Sequence, residues 1–262
     1  MTEDIKPDFH VVSLRYRLEH RDDVNFNNPP PVEHETDEAK LQLKDGILSC
    51  ELKAHYGTES EARAAIEPIL RAWELDAAIR ENLFGLRFKF EKAEIIDRSP
   101  TIPGKTRIFV HTGSISLDAF LAGAGVQASR AKYPDPPLTF HVTPDVESVW
   151  LRFKGYIDGR EPLLSMAYFC LTVVEANARG RRVAAKKFGI EENVLNKLGE
   201  LTSKRGDRLT ARKVRGTTPM PPLTDNEISW VVSVIKALIL RIGDSRDVAT
   251  LPKIKMADLP NL

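Results

Sequence analysis

Residues 161–178 form the most restrictive stretch of this chain, because they are apolar nearly all the way round a helix. Leu163, Leu164, Met166, Phe169, Cys170, Leu171, Val173 and Val174 leave no wide polar stripe. A helix of that kind needs neighbours on several sides, so the spacing predicts the centre of a helical bundle. This run and the later one at 228–242 are too short or too interrupted to span a bilayer, and no membrane association is expected.

The flanks of the central run supply the rest of the bundle. Thr143-Pro144-Asp145 offers a hydroxyl cap, a proline suited to a first helical turn and an acid that favours the helix dipole. A helix from there to about Ile157 ends at Asp158-Gly159. Two shorter helices are expected at 182–188 and 191–202. After a polar loop with Pro219, Pro221 and Pro222, Thr224-Asp-Asn-Glu227 is a capping box. It opens a last helix with Trp230, Val231, Val234, Leu238 and Ile242 inward, ended by Gly243.

The first half has a different period. Residues 9–18, 41–44, 47–56 and 86–96 read as strands. Asp45-Gly46 between two of them signals a hairpin, and Thr58-Glu-Ser-Glu61 caps a helix running through Trp73 and Leu75, with a kink expected at Pro68. Residues 22–38, with Pro29-Pro30-Pro31, read as a mobile loop or insertion. A strand at 107–112 and a helix at 115–122 follow. Gly123-Ala-Gly125 and Tyr133-Pro-Asp-Pro-Pro137 read as linker. The fold class is therefore α+β: an N-terminal sheet-and-helix domain (1–144), an all-α helical domain (145–243), and a tail (244–262) that is either flexible or docked on a neighbour.

Charge divides the chain in the same place. Through Asp145 there are 18 Lys and Arg against 24 Asp and Glu; beyond it, 20 against 13. The overall formal charge of +1, with 42% hydrophobic and 29% charged residues, is that of a globular protein. The two cysteines, Cys50 and Cys170, sit in apolar runs and read as buried thiols of a reducing cytoplasm. The acidic N-terminus lacks the basic-then-apolar order of a signal peptide.

No catalytic motif emerges, so a non-enzyme is favoured over an enzyme whose site is assembled from residues distant in sequence, and no cofactor or metal is expected. Gly104-Lys105-Thr106 lacks the earlier glycine of a P-loop and is a turn. Gly113-Ser114-Ile115-Ser116 lacks the closing glycine of a nucleophile elbow. His34, between Glu33, Glu35 and Asp37, has no second imidazole at ligand spacing and reads as part of a solvated loop. His55 and His111 fall at strand ends and read as edge or surface histidines. Glu91 and Glu94 have opposite parity on their strand, so they do not face one another if it is undistorted.

The strongest local pattern lies at 181–198. Ala185, Gly189, Ile190, Val194, Leu195 and Leu198 have the spacing of a helix-turn-helix, and this segment resembles that of bacterial DNA-binding proteins. The helix that would read bases begins with Glu191 and Glu192, which meet phosphates unfavourably. From Arg179 to Arg215 there are twelve Lys and Arg against four Asp and Glu. The twelve are Arg179, Arg181, Arg182, Lys186, Lys187, Lys197, Lys204, Arg205, Arg208, Arg212, Lys213 and Arg215. If they reach one face, they attract DNA or RNA by displacing counterions. No aromatic interleaves the later ones, so stacking on single strands is not expected.

More broadly, residues 146–243 resemble the HEPN class of bacterial helical domains: long apolar helix, short helices, basic loop, final apolar helix. Several such proteins cut RNA with an Arg followed four to six residues later by His. Here Arg208, Arg212 and Lys213 stand in that place, and no histidine follows His141, so the resemblance implies a non-catalytic relative. Two expectations follow. One is nucleic-acid association through the basic helical segment, with charge reversal of Arg181, Arg182, Lys186 and Lys187 abolishing binding at unchanged melting temperature. The other is a scaffold that forms homo-oligomers, or engages a protein partner, through its helical domain or tail.

Overall fold

In a computed structural model, the first half of the chain builds one twisted antiparallel sheet around its opening strand. The structure describes residues 7–99, 112–113, 128–176, 178–206, 220–244 and 251–262. The strands are β1 (Phe9–Glu19), β2 (Val24–Phe26), β3 (Val32–Glu35), β4 (Ala39–Lys44), β5 (Ile47–Leu52), β6 (Arg87–Asp97), β7 (Thr112–Gly113) and β8 (Ala128–Arg130), with helix α1 (Glu59–Glu81) between β5 and β6. Six strands make the sheet, in the order β3-β4-β5-β1-β6-β7, and β2 pairs in parallel with β8 apart from it. The second half holds α2 (Pro144–Ile157), α3 (Leu163–Ala176), α4 (Arg181–Lys187), α5 (Glu192–Lys204) and α6 (Asp225–Gly243). This is the α+β architecture expected. The chain divides into two compact units, Met1–Pro137 and Leu138–Leu262.

Local chemistry accounts for most element ends. At the β4–β5 turn Lys44 pairs with Ile47, and both Asp45 (φ 50°) and Gly46 (φ 73°) adopt the left-handed conformation of a tight hairpin. Thr58 and Glu61 close a capping box on α1, which continues as one helix through Pro68 and ends at Asn82 in the left-handed region. Leu14, Tyr16, Leu41, Leu43, Leu48 and Cys50 lie on one sheet face with Ile66 and Trp73 of α1, all buried. The opposite face carries polar side chains including Arg17, Lys40, Gln42, Ser49, Glu51 and Lys92.

Three expectations need correction. The proline-rich stretch is not one loop: β3 follows the three prolines and pairs with β4 from Val32↔Leu43 to Glu35↔Lys40. An edge strand tolerates prolines at its start, because its outer groups need no partner. Residues 133–137 are not a loose linker either. Tyr133 is buried and its hydroxyl accepts from Gly46 N (2.8 Å), while Pro134 O accepts from Trp73 Nε1 (3.0 Å). Finally, β6 is distorted. Tyr16 pairs with Phe90 but Arg15 with Lys92, so Glu91 is an extra residue in a bulge. The bulge changes the strand's phase. Glu91 reaches Arg15 (3.3 Å) and Arg17 (2.5 Å), and Glu94 accepts from Ser13 Oγ (3.2 Å), so both act on the polar face.

In the second unit α3 packs against α2, α4, α5 and α6, the central place its composition demands. Thr143 caps α2 by accepting from Val146 N, with Pro144 in the first turn. Phe140 and His141 seat on the end of α6, where His141 N donates to Gly243 O (3.2 Å). Residues 251–258 dock on the turn between α4 and α5. Ile190 and Ile254 form a parallel bridge, Ile254 N donates to Gly189 O and Glu191 N to Ile254 O (2.9 Å each). Arg241 holds the Pro252 carbonyl. Among the described residues, no helix is long and apolar enough to cross a membrane. Gly104-Lys105-Thr106, Ser114, His111 and the elements expected at 107–111 and 115–122 lie outside the described residues, as do Gly123 and Gly125.

Candidate nucleic-acid interface

Four of the twelve basic candidates, Arg208, Arg212, Lys213 and Arg215, lie outside the described residues. The other eight occupy the turn before α4, α4 itself, and α5 to its C-cap. They separate into two groups.

In the first group every side chain has a carboxylate partner, and two of them, Arg181 and Arg205, hold helices together. Arg181 opens α4 and its Nε donates to Glu175 Oε1 of α3 (2.6 Å), while Nη1 donates to Asn196 Oδ1 of α5 (3.2 Å). The guanidinium lies over Gly199, where a Cβ would come within 2.8 Å of Nη2. Arg205, the C-cap of α5, donates from Nε and Nη2 to Glu227 Oε1 (3.0 and 2.8 Å). The other oxygen of Glu227 accepts from Thr224 N (3.0 Å), so one buried carboxylate caps α6 and ties it to α5. Burial opposes the charge of Glu227, yet hydrogen bonds from Arg205 and Thr224 hold its carboxyl below the ordinary value. Lys197 and Lys204 share the exposed Glu200, at 3.4 and 3.5 Å. Such surface pairs contribute little to stability but offset positive charge locally.

The outward group is Arg179, Arg182, Lys186 and Lys187, all exposed. Arg179 has left-handed backbone (φ 58°) in the turn before α4. Arg182 and Lys186, four residues apart, share one helix face. Lys187 lies over the ring of Phe188 (5.1 Å). For Arg179, Arg182 and Lys186, no carboxylate lies within ion-pair distance among the described residues. Docking of the tail adds Lys253 and Lys255, exposed on either side of Ile254 in the segment bound to residues 189–191. The period-two alternation Lys253-Ile254-Lys255 was the available signal for these two.

The same docking changes the helix-turn-helix reading. α4, a turn with Gly189 at φ 60°, and α5 are present, and Ala185, Val194, Leu195 and Leu198 are buried between them and their neighbours. At the leading end of α5, which a recognition helix would offer to bases, the tail takes Glu191, while Glu192 and Asn193 stay exposed. Glu191 N–H is bound to the tail, and Glu191 Oε2 accepts from Met256 N (3.2 Å).

Elsewhere the described residues offer little chemistry. They contain no group of three or more His, Cys, Asp and Glu placed to hold a metal ion. His34 sits on β3 opposite Leu41, not in a loop. Beside α1, a groove lined by Arg63, Glu67, Arg71, Glu74, Phe88 and Phe90 has its charges paired internally: Arg63 with Glu59 and Glu67, and Arg71 with Glu74. Burial pushes the Cys50 thiol up to about 12 and raises that of Cys170 too, so both stay protonated.

Fold and surface together define a two-unit α+β chain whose helical unit carries a small cluster of outward cations. Comparison with protein-family models, with curated proteins and with solved structures gave no match in any of the three.

Proposed function

We propose that the helical unit associates with nucleic acid through the sugar–phosphate backbone, using Arg179, Arg182, Lys186 and Lys187 on and beside α4. The observation that carries this reading is the exposure of Arg179, Arg182 and Lys186 without a carboxylate partner among the described residues. Cations already bound to carboxylates have little to gain from a phosphate, whereas these three can release its counterions. Lys253 and Lys255 extend the same surface. The buried, protonated cysteines accord with a reducing cytoplasm.

Six phosphate contacts, four from Arg179, Arg182, Lys186 and Lys187 and two from Lys253 and Lys255, predict a slope of about −5 in a plot of log affinity against log salt for a duplex. Fluorescence anisotropy with labelled DNA and RNA duplexes across a salt series measures it. Arg182→Glu with Lys186→Glu is expected to reduce the slope by about 2 and leave the melting temperature in place. Absence of binding to either duplex at low salt, or full affinity in the double variant, sinks the reading.

A second reading, self-association, rests on Leu151 of α2 (59% exposed) and Tyr168 of α3 (40% exposed), large apolar side chains on two helices that pack together. Light scattering on the wild type and on Leu151→Glu tests it; a monomer at every concentration excludes it.

A further inference from the structure

His10, near the start of β1, and His55, in the loop joining β5 to α1, face each other as a pair. Their rings are nearly parallel (9°) with centroids 5.1 Å apart, and their Nδ1 atoms lie 3.0 Å apart. His10 is only 6% exposed, while half of the His55 side chain reaches solvent. Beyond His55, its Nε2 stands 3.8 Å from Asp8 Oδ1. Asp8 is fixed by its own backbone: its N–H donates to Asp97 Oδ1 and Ser99 Oγ, and its carbonyl accepts from Arg98 N (2.8 Å) at the end of β6. The loop is tied to β1 where Val11 N donates to Tyr56 O (2.9 Å).

Two imidazole nitrogens at that distance share one proton, so one ring presents Nδ1–H and the other a lone pair. The surroundings decide how further protons enter. With Nδ1–H of His55 directed at His10, a proton on His55 Nε2 points toward Asp8 and leaves the inter-ring bond intact. A second proton, on His10 Nδ1, sets two N–H groups head to head. Burial disfavours charge on His10 most, Arg98 and His55 add to that, and Asp8 opposes them, with a net lowering from the ordinary 6.5. Asp97 is held by Asp8 N and by Ser99, whose N and Oγ both donate to it.

We propose that His10 and His55 form a proton-operated latch, which holds the β5–α1 loop on the start of β1 through the proton shared between their Nδ1 atoms and opens when a proton on His10 sets two N–H groups head to head. The sign follows from linkage. The unfolded chain binds a proton at His10 more readily than the folded one, so the latch contributes fully above about pH 6.5 and is lost as pH falls below it.

Nitrogen-15 spectra of the imidazoles of the full chain, recorded through a pH titration, test this. The expected result is a His10 step below its ordinary 6.5. Exchange of the Val11 amide should accelerate with that step. His55→Ala, a change at a half-exposed site, removes the inter-ring bond and is expected to raise the His10 midpoint. A His10 midpoint at or above 6.5, one unmoved by His55→Ala, or Val11 exchange indifferent to His10 protonation overturns the proposal.

Discussion

Replacing Arg181 with Met tests the claim that neighbouring arginines in this segment have opposite roles. Met keeps most of the aliphatic stem and removes the guanidinium, with its bonds to Glu175 (2.6 Å) and Asn196 (3.2 Å). A buried hydrogen bond to a charged group contributes about 1.5–3 kcal/mol, and an exposed ion pair about 0.2–1 kcal/mol. The Arg181 and Glu175 side chains are about one-third exposed (32% and 30%), so the loss should fall between, at about 1–2 kcal/mol. Glu175 can rehydrate, which keeps the cost below that of orphaning a buried charge. A second substitution isolates the geometry. Gly199→Ala gains about 1 kcal/mol of helix propensity, but its Cβ would press on the guanidinium. The gain should be offset in the wild type and recovered in Arg181→Met. Calorimetry of the four proteins gives the cycle, with a drop of roughly 4–8 °C expected for Arg181→Met alone. An unchanged melting temperature, or an equal effect of Gly199→Ala in both backgrounds, refutes the clamp.

Gly243→Ala places a methyl on the buried Phe140 ring and should destabilise the protein by about 1–3 kcal/mol in thermal melts. Glu227 has a lowered carboxyl, so its contribution is present above about pH 4.5 and is lost as pH falls through the folded value; Arg205→Ala should move acid unfolding, followed by circular dichroism, to higher pH. Lys253→Glu with Lys255→Glu should weaken duplex binding in anisotropy as the α4 variants do, with no change in melting temperature.

The parts of the fold legible in the sequence are those whose cause is local. A capping box spans four residues, and both, at Thr58 and Thr224, close as written. Asp45-Gly46 dictates its turn through two left-handed residues. The apolar circumference of 161–178 dictates that α3 be surrounded. What the sequence hid is non-local. The strand β3 depends on an edge supplied by β4, and the bulge at Glu91 appears only when β6 is laid against β1. Tyr133 reads as linker until Gly46, 87 positions away, donates to it.

The candidate surface obeys the same division, and charge along the segment does not determine which cations face outward. Arg181 and Arg182 are chemically identical neighbours, and helical geometry turns successive side chains about a quarter of a turn or more apart. That rotation carries Arg181 to Glu175, Asn196 and Gly199 and leaves Arg182 exposed. Which arginine goes inward is settled by where α3 and α5 stand, and no property of the segment 179–187 contains that information. The tail acts likewise. Its two lysines are distant in sequence from α4, and the bonds of Ile254 to Gly189 and Glu191 bring them to the turn that follows it. A net charge of +8 over 179–215 therefore overstates what a phosphate could meet among the described residues. The effective surface is smaller, but its cations can act without first breaking bonds that hold the helices together.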